Sequence, residues 1–179
     1  VIKLVGKIID NYEPVSLRSR IAVVLQDVFL FSGSVLDNIR MVNKDIRMDD
    51  VVKAAKFIGA HEFIEKLPGG YDYKVMERGS SLSLGQRQLI SFVRALASNP
   101  DILILDEATS SVDTETEEVI QHATEKLLQG RTSIVVAHRL STIRKANKII
   151  VLSKGEIIEQ GTHEELIALS GAYAELNKS

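Results

Sequence analysis

The sequence predicts an α/β fold built on a largely parallel β-sheet, with an α-helical subdomain inserted between two of its strands. Short apolar runs alternate with stretches in which apolar residues recur at helical spacing, and this alternation is typical of parallel sheets with helical connections. The runs are apolar at nearly every position, as expected for strands that are covered on both faces. Residues 34–98 lie between two of these runs and carry helical patterns with no convincing strand.

The predicted strands are short and are bounded by polar or turn-forming residues. In chain order they are residues 21–25, 102–105, 133–136 and 149–152. Residues 148–153 and 156–160 also form a turn-linked pair around Lys154 and Gly155, and two short helices are predicted near Glu164 and Ala172.

The inserted segment contains several predicted helices. Its longest helix is expected at residues 84–97, because Leu89, Ile90 and Val93 fall on one stripe. The group Pro68-Gly69-Gly70 interrupts the helical pattern earlier in the segment. Residues 1–33 and 99–179 would then form the sheet-based core, and residues 34–98 the helical subdomain.

The composition excludes several classes of protein. The net charge is −2, so no basic excess indicates a nucleic-acid partner, and the absence of cysteine excludes disulfide scaffolds and thiol chemistry. The longest apolar runs span four or five residues, whereas a membrane helix needs about 20. We therefore expect no membrane-spanning segment and no signal peptide in these 179 residues.

Polar residues with possible catalytic roles follow three of the predicted strands. They are Gln26, the pair Asp106-Glu107, and His138. The carboxyl ends of parallel strands meet at one sheet edge, where open α/β folds bind ligands. At such an edge a carboxylate can hold Mg²⁺, a second one can polarise water, and a histidine can contact a phosphate. In the competing interpretation each residue only ends a strand or caps the next helix.

A Ser/Gly-rich loop at residues 79–83 leads directly into the long predicted helix. The free N–H groups and the positive end of such a helix favour an anion such as phosphate. The competing interpretation is an ordinary capped helix with Ser83 as its cap.

Taken together, these motifs resemble those of the ATP-binding cassette (ABC) family over essentially the whole chain. Leu82-Ser83-Leu84-Gly85-Gln86 looks like the ABC signature, and Asp106-Glu107 is similar to the Walker B aspartate with its catalytic glutamate. The other matches are a D-loop at residues 110–113, a switch histidine at His138 and a Q-loop glutamine at Gln26.

The resemblance is strongest to the exporter branch, of multidrug and lipid type, whose cassettes are commonly fused to a membrane domain. Residues 26–39, the X-loop-like Glu77-Arg78-Gly79 and residues 137–142 are similar to that branch. The resemblance implies the ATP-hydrolysing motor of an exporter at the cytoplasmic face of the membrane, with a RecA-like P-loop NTPase core. The whole chain, residues 1–179, would then be a partial nucleotide-binding domain.

For mechanism, the resemblance implies a head-to-tail dimer of two cassettes, with ATP and Mg²⁺ at the interface. Ser83, Gly85 and Gln86 of one cassette would approach the γ-phosphate that is held by the other.

Each remaining motif residue also has an implied role. Glu107 would polarise the attacking water, Asp106 would anchor Mg²⁺ through water, and His138 would contact the γ-phosphate. Gln26 would join the metal shell and link the site to the coupling helices of the membrane domain, close to Phe29. Asp113 would connect the two sites of the dimer.

Two departures from the family pattern stand out. The phosphate-binding loop G-x-x-x-x-G-K-[ST] is absent, since Gly6-Lys7 is followed by Ile8 and is better explained as a turn. We therefore expect the sequence to be N-terminally truncated and inactive in ATP hydrolysis by itself. The second departure is Leu84, where the signature usually has glycine, and we expect its side chain to point away with little effect.

Two further alternatives are a non-transport ABC ATPase and a non-catalytic pseudo-cassette that dimerises with an active partner. The exporter-like stretch around Phe29 argues against the first, and intact Glu107 and His138 argue against the second. The sequence does not predict the transported substrate.

Overall fold

The computed structural model describes residues 2–41, 43–76, 79–107, 114–137 and 139–178, with the backbone alone at residues 114 and 115. Residues 1–135 and 136–179 form two compact units. The strands are β1 (Lys3–Leu4), β2 (Lys7–Ile8), β3 (Ile21–Val24), β4 (Gly33–Ser34), β5 (Lys74–Val75), β6 (Ile102–Asp106), β7 (Thr132–Val136), β8 (Ile149–Ser153) and β9 (Glu156–Gly161). The helices are α1 (Pro14–Ser19), α2 (Val35–Arg40), α3 (Met48–Ile58), α4 (His61–Lys66), α5 (Leu84–Ala97), α6 (Thr114–Leu128), α7 (Leu140–Arg144), α8 (His163–Leu169) and α9 (Ala172–Leu176).

The central sheet of the first unit has the strand order β3-β6-β7. Strands β3 and β6 run parallel, with Ile21 opposite Ile102 and Val24 opposite Leu105. About 80 residues of chain separate the two strands, and a long connection is what parallel neighbours require. The predicted α/β class with parallel pairing is therefore confirmed.

The two faces of this sheet differ in burial. Val24 and Leu105 are almost fully buried on the face that packs against the hydrophobic core. On the opposite face Val23 is 52% exposed and Ile134 is 58% exposed. The expectation that the strands are covered on both faces is therefore wrong within the residues that the structure describes, where one apolar sheet face is open.

The segment between β3 and β6 is mainly helical, as predicted. Its helices pack their apolar side chains into one core with the sheet, in which Ile39, Ile58, Ile64 and Phe92 are fully buried. The prediction that residues 34–98 contain no strand was wrong, because β5 pairs antiparallel with β4. A two-residue strand carries too little alternation to be recognised in a sequence.

Helix α5 begins and ends at the predicted residues. The Ser83 side chain accepts a hydrogen bond from the Gln86 N–H, and the Gln86 side chain accepts one from the Ser83 N–H. This reciprocal capping box satisfies two backbone donors that would otherwise lack partners, and so fixes where the helix starts. The apolar face of α5 packs against α2, α3 and α6.

Two tight turns depend on left-handed backbone. The β1–β2 hairpin turns at Val5 (φ 49°) and Gly6 (φ 77°), which agrees with Gly6 as a turn residue. The β8–β9 hairpin turns at Lys154 (φ 51°) and Gly155 (φ 83°). Glycine adopts this conformation without the clash that a Cβ introduces.

The second unit contains the predicted hairpin followed by two short helices. Strand β8 pairs antiparallel with β9 and leaves Ile150 and Leu152 exposed, so residues 149–152 are not the doubly covered strand that their apolar run predicted. Ile149, Leu166 and Tyr173 form its small core. Within the described ranges of both units, no helix combines the length and apolar character that spanning a membrane demands.

Candidate functional site

Two predicted site residues, Gln26 and Glu107, follow the parallel strands β3 and β6. Val24 is paired with Leu105, and Gln26 and Glu107 each follow two residues later in the sequence, beyond the last residues of β3 and β6. Both residues therefore follow the carboxyl ends of neighbouring parallel strands, and their meeting at one site stays a prediction.

The two carboxylates of this edge differ in exposure. Asp106 is the last residue of β6 and is half-buried, whereas Glu107 is only 5% exposed. A carboxylate that is held this close to an apolar sheet has little contact with bulk water, which strengthens its interactions with nearby charges and dipoles. Asp106 and Glu107 thus offer one accessible and one shielded carboxylate at consecutive positions.

Two other predicted site residues, His138 and Asp113, lie outside the described residues. Strand β7 ends at Val136, two residues before His138, and lies next to β6 in the sheet. The predicted approach of His138 to Glu107 stays a prediction, as does the role of Asp113 in joining two sites. Glu77 and Arg78 of the X-loop-like segment also lie outside the described ranges.

The N-terminus of α5 presents the second candidate feature. Ser83 Oγ accepts from the Gln86 N–H at 3.1 Å, and Gln86 Oε1 accepts from the Ser83 N–H at 3.0 Å. Because Ser83 Oγ acts as an acceptor in this bond, its hydroxyl proton stays available for a ligand. The backbone N–H groups of Leu84 and Gly85 occupy the first turn, where the dipole of this 14-residue helix favours negative charge.

The capping box agrees with the interpretation of Ser83 as an ordinary helix cap. It also leaves the Ser83 hydroxyl and the N–H groups of the first turn available as donors to a ligand. Leu84, the departure from the usual signature, is the first residue of α5 and is 37% exposed. It is not among the described non-glycine residues with positive φ. Leucine is therefore accommodated at this position without backbone strain.

A third feature is an aromatic loop at residues 29–33, which the family resemblance placed near the coupling helices of a membrane domain. Phe29 and Phe31 are 47% and 52% exposed, and their rings meet edge to face with centroids 4.8 Å apart. A shallow cavity of about 260 Å³ lies beside them, lined by Phe31, Ser32, Asp37, Asn38 and Met41. Backbone N–H donation from Ser34 holds the pKa of Asp37 below its usual range, so this apolar groove carries a negative charge.

Two residues that support the aromatic loop, Asn38 and Arg94, were missed in the sequence. Asn38 is 2% exposed and its side chain bonds both the N–H and the carbonyl of Phe31, each at 2.8 Å. Arg94 bonds the carbonyls of Phe29 and Asn38 from helix α5. One signal was present: a polar Asn38 directly before Ile39 on an otherwise apolar helix face.

Comparison with known proteins agrees with these features. The sequence profile of the family described as ABC transporter matches residues 1–110. An uncharacterised ABC transporter ATP-binding protein, YknV of Bacillus subtilis (strain 168), is 54% identical over 178 residues, which are 99% of this chain and 30% of that protein.

Two further relatives extend the comparison. A probable multidrug resistance ABC transporter ATP-binding/permease protein, YheH of the same strain, is 52% identical over 96% of this chain and 25% of its own length. An ATP-dependent lipid A-core flippase of Syntrophus aciditrophicus (strain SB) is 49% identical over 97% of this chain and 29% of its own length.

The match of the family profile over more than half of the sequence shows that this chain belongs to the ABC transporter family. Its sheet is accordingly that of a P-loop NTPase domain, with exporters among its relatives. The chain spans less than a third of the length of these relatives.

Proposed function

We propose that this chain is the larger part of the ATP-binding domain of an ABC exporter, which couples ATP hydrolysis to transport across a membrane. The observation that supports the proposal is the parallel pairing of Val24 with Leu105 together with the burial of Glu107, from which we infer that Gln26 and Glu107 lie at one sheet edge. Relatives that are named as multidrug ATP-binding/permease proteins and as a lipid A-core flippase support export as the process.

In this mechanism Glu107 orients and polarises the water that attacks the γ-phosphate of ATP. Its burial favours this role, since a shielded carboxylate interacts strongly with a nearby water proton. His138 contacts the γ-phosphate from the adjacent strand. These residues place water and phosphate at one edge, and phosphoryl transfer depends chiefly on such positioning and charge stabilisation.

The residues of the sheet edge fit a magnesium ion bound together with ATP. Within the described part of the chain, no cluster of three or more His, Cys, Asp or Glu side chains forms a metal cage. Mg²⁺ in nucleotide sites uses one or two protein oxygens together with phosphates and water, and half-buried Asp106 with Gln26 matches that small donor set. A bound ion would supply positive charge that stabilises the phosphate oxygens.

The α5 N-terminus serves the ATP of a second cassette in a head-to-tail dimer. The Ser83 hydroxyl and the backbone N–H groups of Leu84 and Gly85 donate to the γ-phosphate, and Gln86 adds its amide. The capping box supports this proposal, because it leaves the Ser83 hydroxyl proton available to a phosphate and fixes the first turn of α5. Asp113 connects the two sites across this dimer.

The aromatic loop docks a short amphipathic helix of the membrane domain. Exposed aromatic rings beside a shallow groove suit an apolar helix face, and the ionised Asp37 suits a basic residue on the same helix. Gln26, three residues before Phe29, links this surface to the sheet edge. The domain would accordingly work at the cytoplasmic face of the membrane.

The 179 residues by themselves lack the G-x-x-x-x-G-K-[ST] motif, and with it most donors to the β- and γ-phosphates. We expect this chain alone to show no ATP turnover and to associate through its open sheet face, where Val23 and Ile134 are exposed. ATP turnover by the purified chain that Glu107→Gln abolishes would contradict this part of the proposal.

The test of the main proposal is ATP hydrolysis by the intact transporter that contains these residues. Glu107→Gln should lower kcat by at least about 100-fold, the usual scale for losing a general base, and leave ATP binding in place. Asp101→Asn is the matched control, because Asp101 precedes the opposite end of β6 and is exposed. Equal loss in both variants, or loss in neither, would reject the role of Glu107.

A further inference from the structure

Arg94, in the second half of α5, connects this helix to the aromatic loop. Its Nε donates to the Asn38 carbonyl at 2.8 Å, and both terminal nitrogens lie 3.3 Å from the Phe29 carbonyl oxygen. One of them also reaches Asn38 Oδ1 at 3.4 Å. A single side chain therefore bonds positions that are 56 and 65 residues away in the sequence.

Asn38 continues this network into the loop. Its Oδ1 accepts from the Phe31 N–H, and its Nδ2 donates to the carbonyls of Phe31 at 2.8 Å and Ser34 at 3.0 Å. The Asn38 side chain therefore satisfies both backbone groups of Phe31, as the backbone of a neighbouring strand would. Since Arg94 contacts Asn38 as well as Phe29, the backbone on either side of Leu30 is fixed to α5.

If this position served only packing, an arginine would be unfavourable, because burying its charge costs desolvation free energy. Burial lowers the pKa of Arg94, and no ion pair of Arg94 is found within the described ranges. A methionine would fill the same space without desolvating a charge. What arginine alone supplies is a planar fork of donors, which here meets several acceptors of the loop at once.

The loop that this fork holds displays its aromatic rings to solvent. Phe29 and Phe31 are each about half exposed, whereas Leu30 between them is fully buried against the core. Gly79, just before the signature, is also packed tightly against Leu30 and Arg87. A fixed backbone with exposed rings is a preorganised binding surface, because its entropy has been lost before any partner arrives.

We infer that Arg94 and Asn38 are positioning residues that make the Phe29–Phe31 pair move as one body with the signature helix. Gln86 and Arg94 are eight residues apart on α5, about 12 Å at the rise of an α-helix. A displacement of the α5 N-terminus by bound phosphate is thus carried to the aromatic pair through hydrogen bonds. This inference rests on the proposed function, in which those two ends serve ATP and the membrane domain.

The first test measures amide hydrogen exchange in the intact protein that contains these residues, since the Phe31 N–H is itself part of the network. Arg94→Met should raise the exchange rate of the Phe31 amide at least about tenfold more than that of Leu127 in the core. Arg94→Lys, which keeps one donor group, should give an intermediate value. Arg40→Met is the matched control, because Arg40 Nε donates to the Ile46 carbonyl at 2.8 Å without contacting the loop.

The result that overturns the inference is a uniform change. If Arg94→Met raises the exchange of Phe31 and Leu127 by the same factor, or acts as Arg40→Met does, Arg94 is only a stabilising residue. Should Arg94→Met fail to fold, Arg94→Lys and Asn38→Asp decide the same question. Asn38→Asp keeps the acceptor for the Phe31 N–H and loses the donor to the Phe31 carbonyl.

The second test separates coupling from catalysis in the intact transporter. Arg94→Met should leave the KM for ATP within about twofold and lower transport per ATP hydrolysed several-fold, because the lost bonds lie between α5 and the docking loop. An unchanged ratio overturns the inference. If the unmodified protein neither hydrolyses ATP nor transports, the proposed function fails instead, and the amide exchange result still stands.

Discussion

Gly85 of α5 packs directly against the Thr116 side chain of α6, whose Cγ2 methyl occupies the space that a Cβ at Gly85 would need. Gly85 is buried in the second position of the helix. The glycine of the signature-like segment is therefore required by helix packing in this chain, in addition to any role at a phosphate. The two helices approach closely at this point because one of them lacks a side chain.

Gly85→Ala is expected to destabilise the fold by about 1–3 kcal/mol, the usual cost of overpacking a close contact. Thr116→Ser removes the Cγ2 methyl and should restore most of that loss in the double variant. Urea unfolding of the wild-type chain, both single variants and the double variant measures the coupling free energy between the two positions.

Thr116→Ser alone is the control and should change the free energy of unfolding by less than about 1 kcal/mol. If Gly85→Ala is equally destabilising with Thr116 and with Ser at position 116, the Gly85–Thr116 contact is not the cause.

In the second unit, Glu159 of β9 caps helix α9. Its two carboxylate oxygens accept from the Ala172 N–H at 2.6 Å and from the Tyr173 N–H at 3.0 Å. We expect Glu159→Ala to lower the free energy of unfolding by about 1 kcal/mol, as loss of a helix N-cap does. Glu159→Gln, with one acceptor oxygen and no charge, should lose less.

Glu156→Ala is the matched control for this cap, since Glu156 is exposed at the start of the same strand. Chemical unfolding followed by circular dichroism compares the three variants. Equal destabilisation by Glu156→Ala would attribute the effect to strand β9 rather than to the α9 cap.

The sequence predicted the parts of the fold that depend on local pattern. Helix α5 was placed to the residue, because Ser83 and the apolar stripe through Leu89 and Val93 define both its start and its buried face. Strand β6 was one residue longer than predicted, since Asp106 still pairs. Strand β5 was missed, because two residues form a strand only when β4 is brought beside them by the tertiary fold.

For the site, the parallel pairing of β3 with β6 agrees with the rule from which a shared edge was predicted, and the meeting of Gln26 with Glu107 at one site stays a prediction. The burial of Glu107 could not be predicted, because it depends on packing around the strand end. The role of Arg94 could not be predicted for a similar reason. An arginine on a helix is common, and only the contacts of Arg94 with Phe29 and Asn38 in the folded chain distinguish it.

Tyr71 should make the stability of the fold sensitive to alkaline pH. Burial, with a smaller effect of Glu65, raises its pKa to about 12, and its hydroxyl lies 2.9 Å from His61 Nδ1. A tyrosine in the unfolded chain ionises near pH 10. The folded state holds this proton more tightly, so its stabilising contribution is complete below pH 10 and is lost as pH rises towards 12.

Tyrosine absorbance at 295 nm tests this directly in a titration of the folded chain. Wild type should show a late ionisation near pH 12 that Tyr71→Phe removes, and the difference should vanish in denaturant. Identical titration curves for the two folded proteins would contradict the assignment. Unfolding by urea at pH 9 and pH 11 should likewise show a smaller pH-dependent loss in Tyr71→Phe.

Leu84 gives the last prediction, because its backbone is helical and its side chain is partly exposed at the first position of α5. Restoring the usual glycine relieves no strain, so Leu84→Gly should lower the free energy of unfolding by up to about 1 kcal/mol through the greater freedom of glycine. Leu84→Ala, which removes the side chain without freeing the backbone, is the matched control. ATP hydrolysis by the intact transporter should change little in either variant. A gain of about tenfold in Leu84→Gly alone, worth roughly 1.4 kcal/mol in the transition state, would instead show that a phosphate needs closer approach to this backbone than leucine permits.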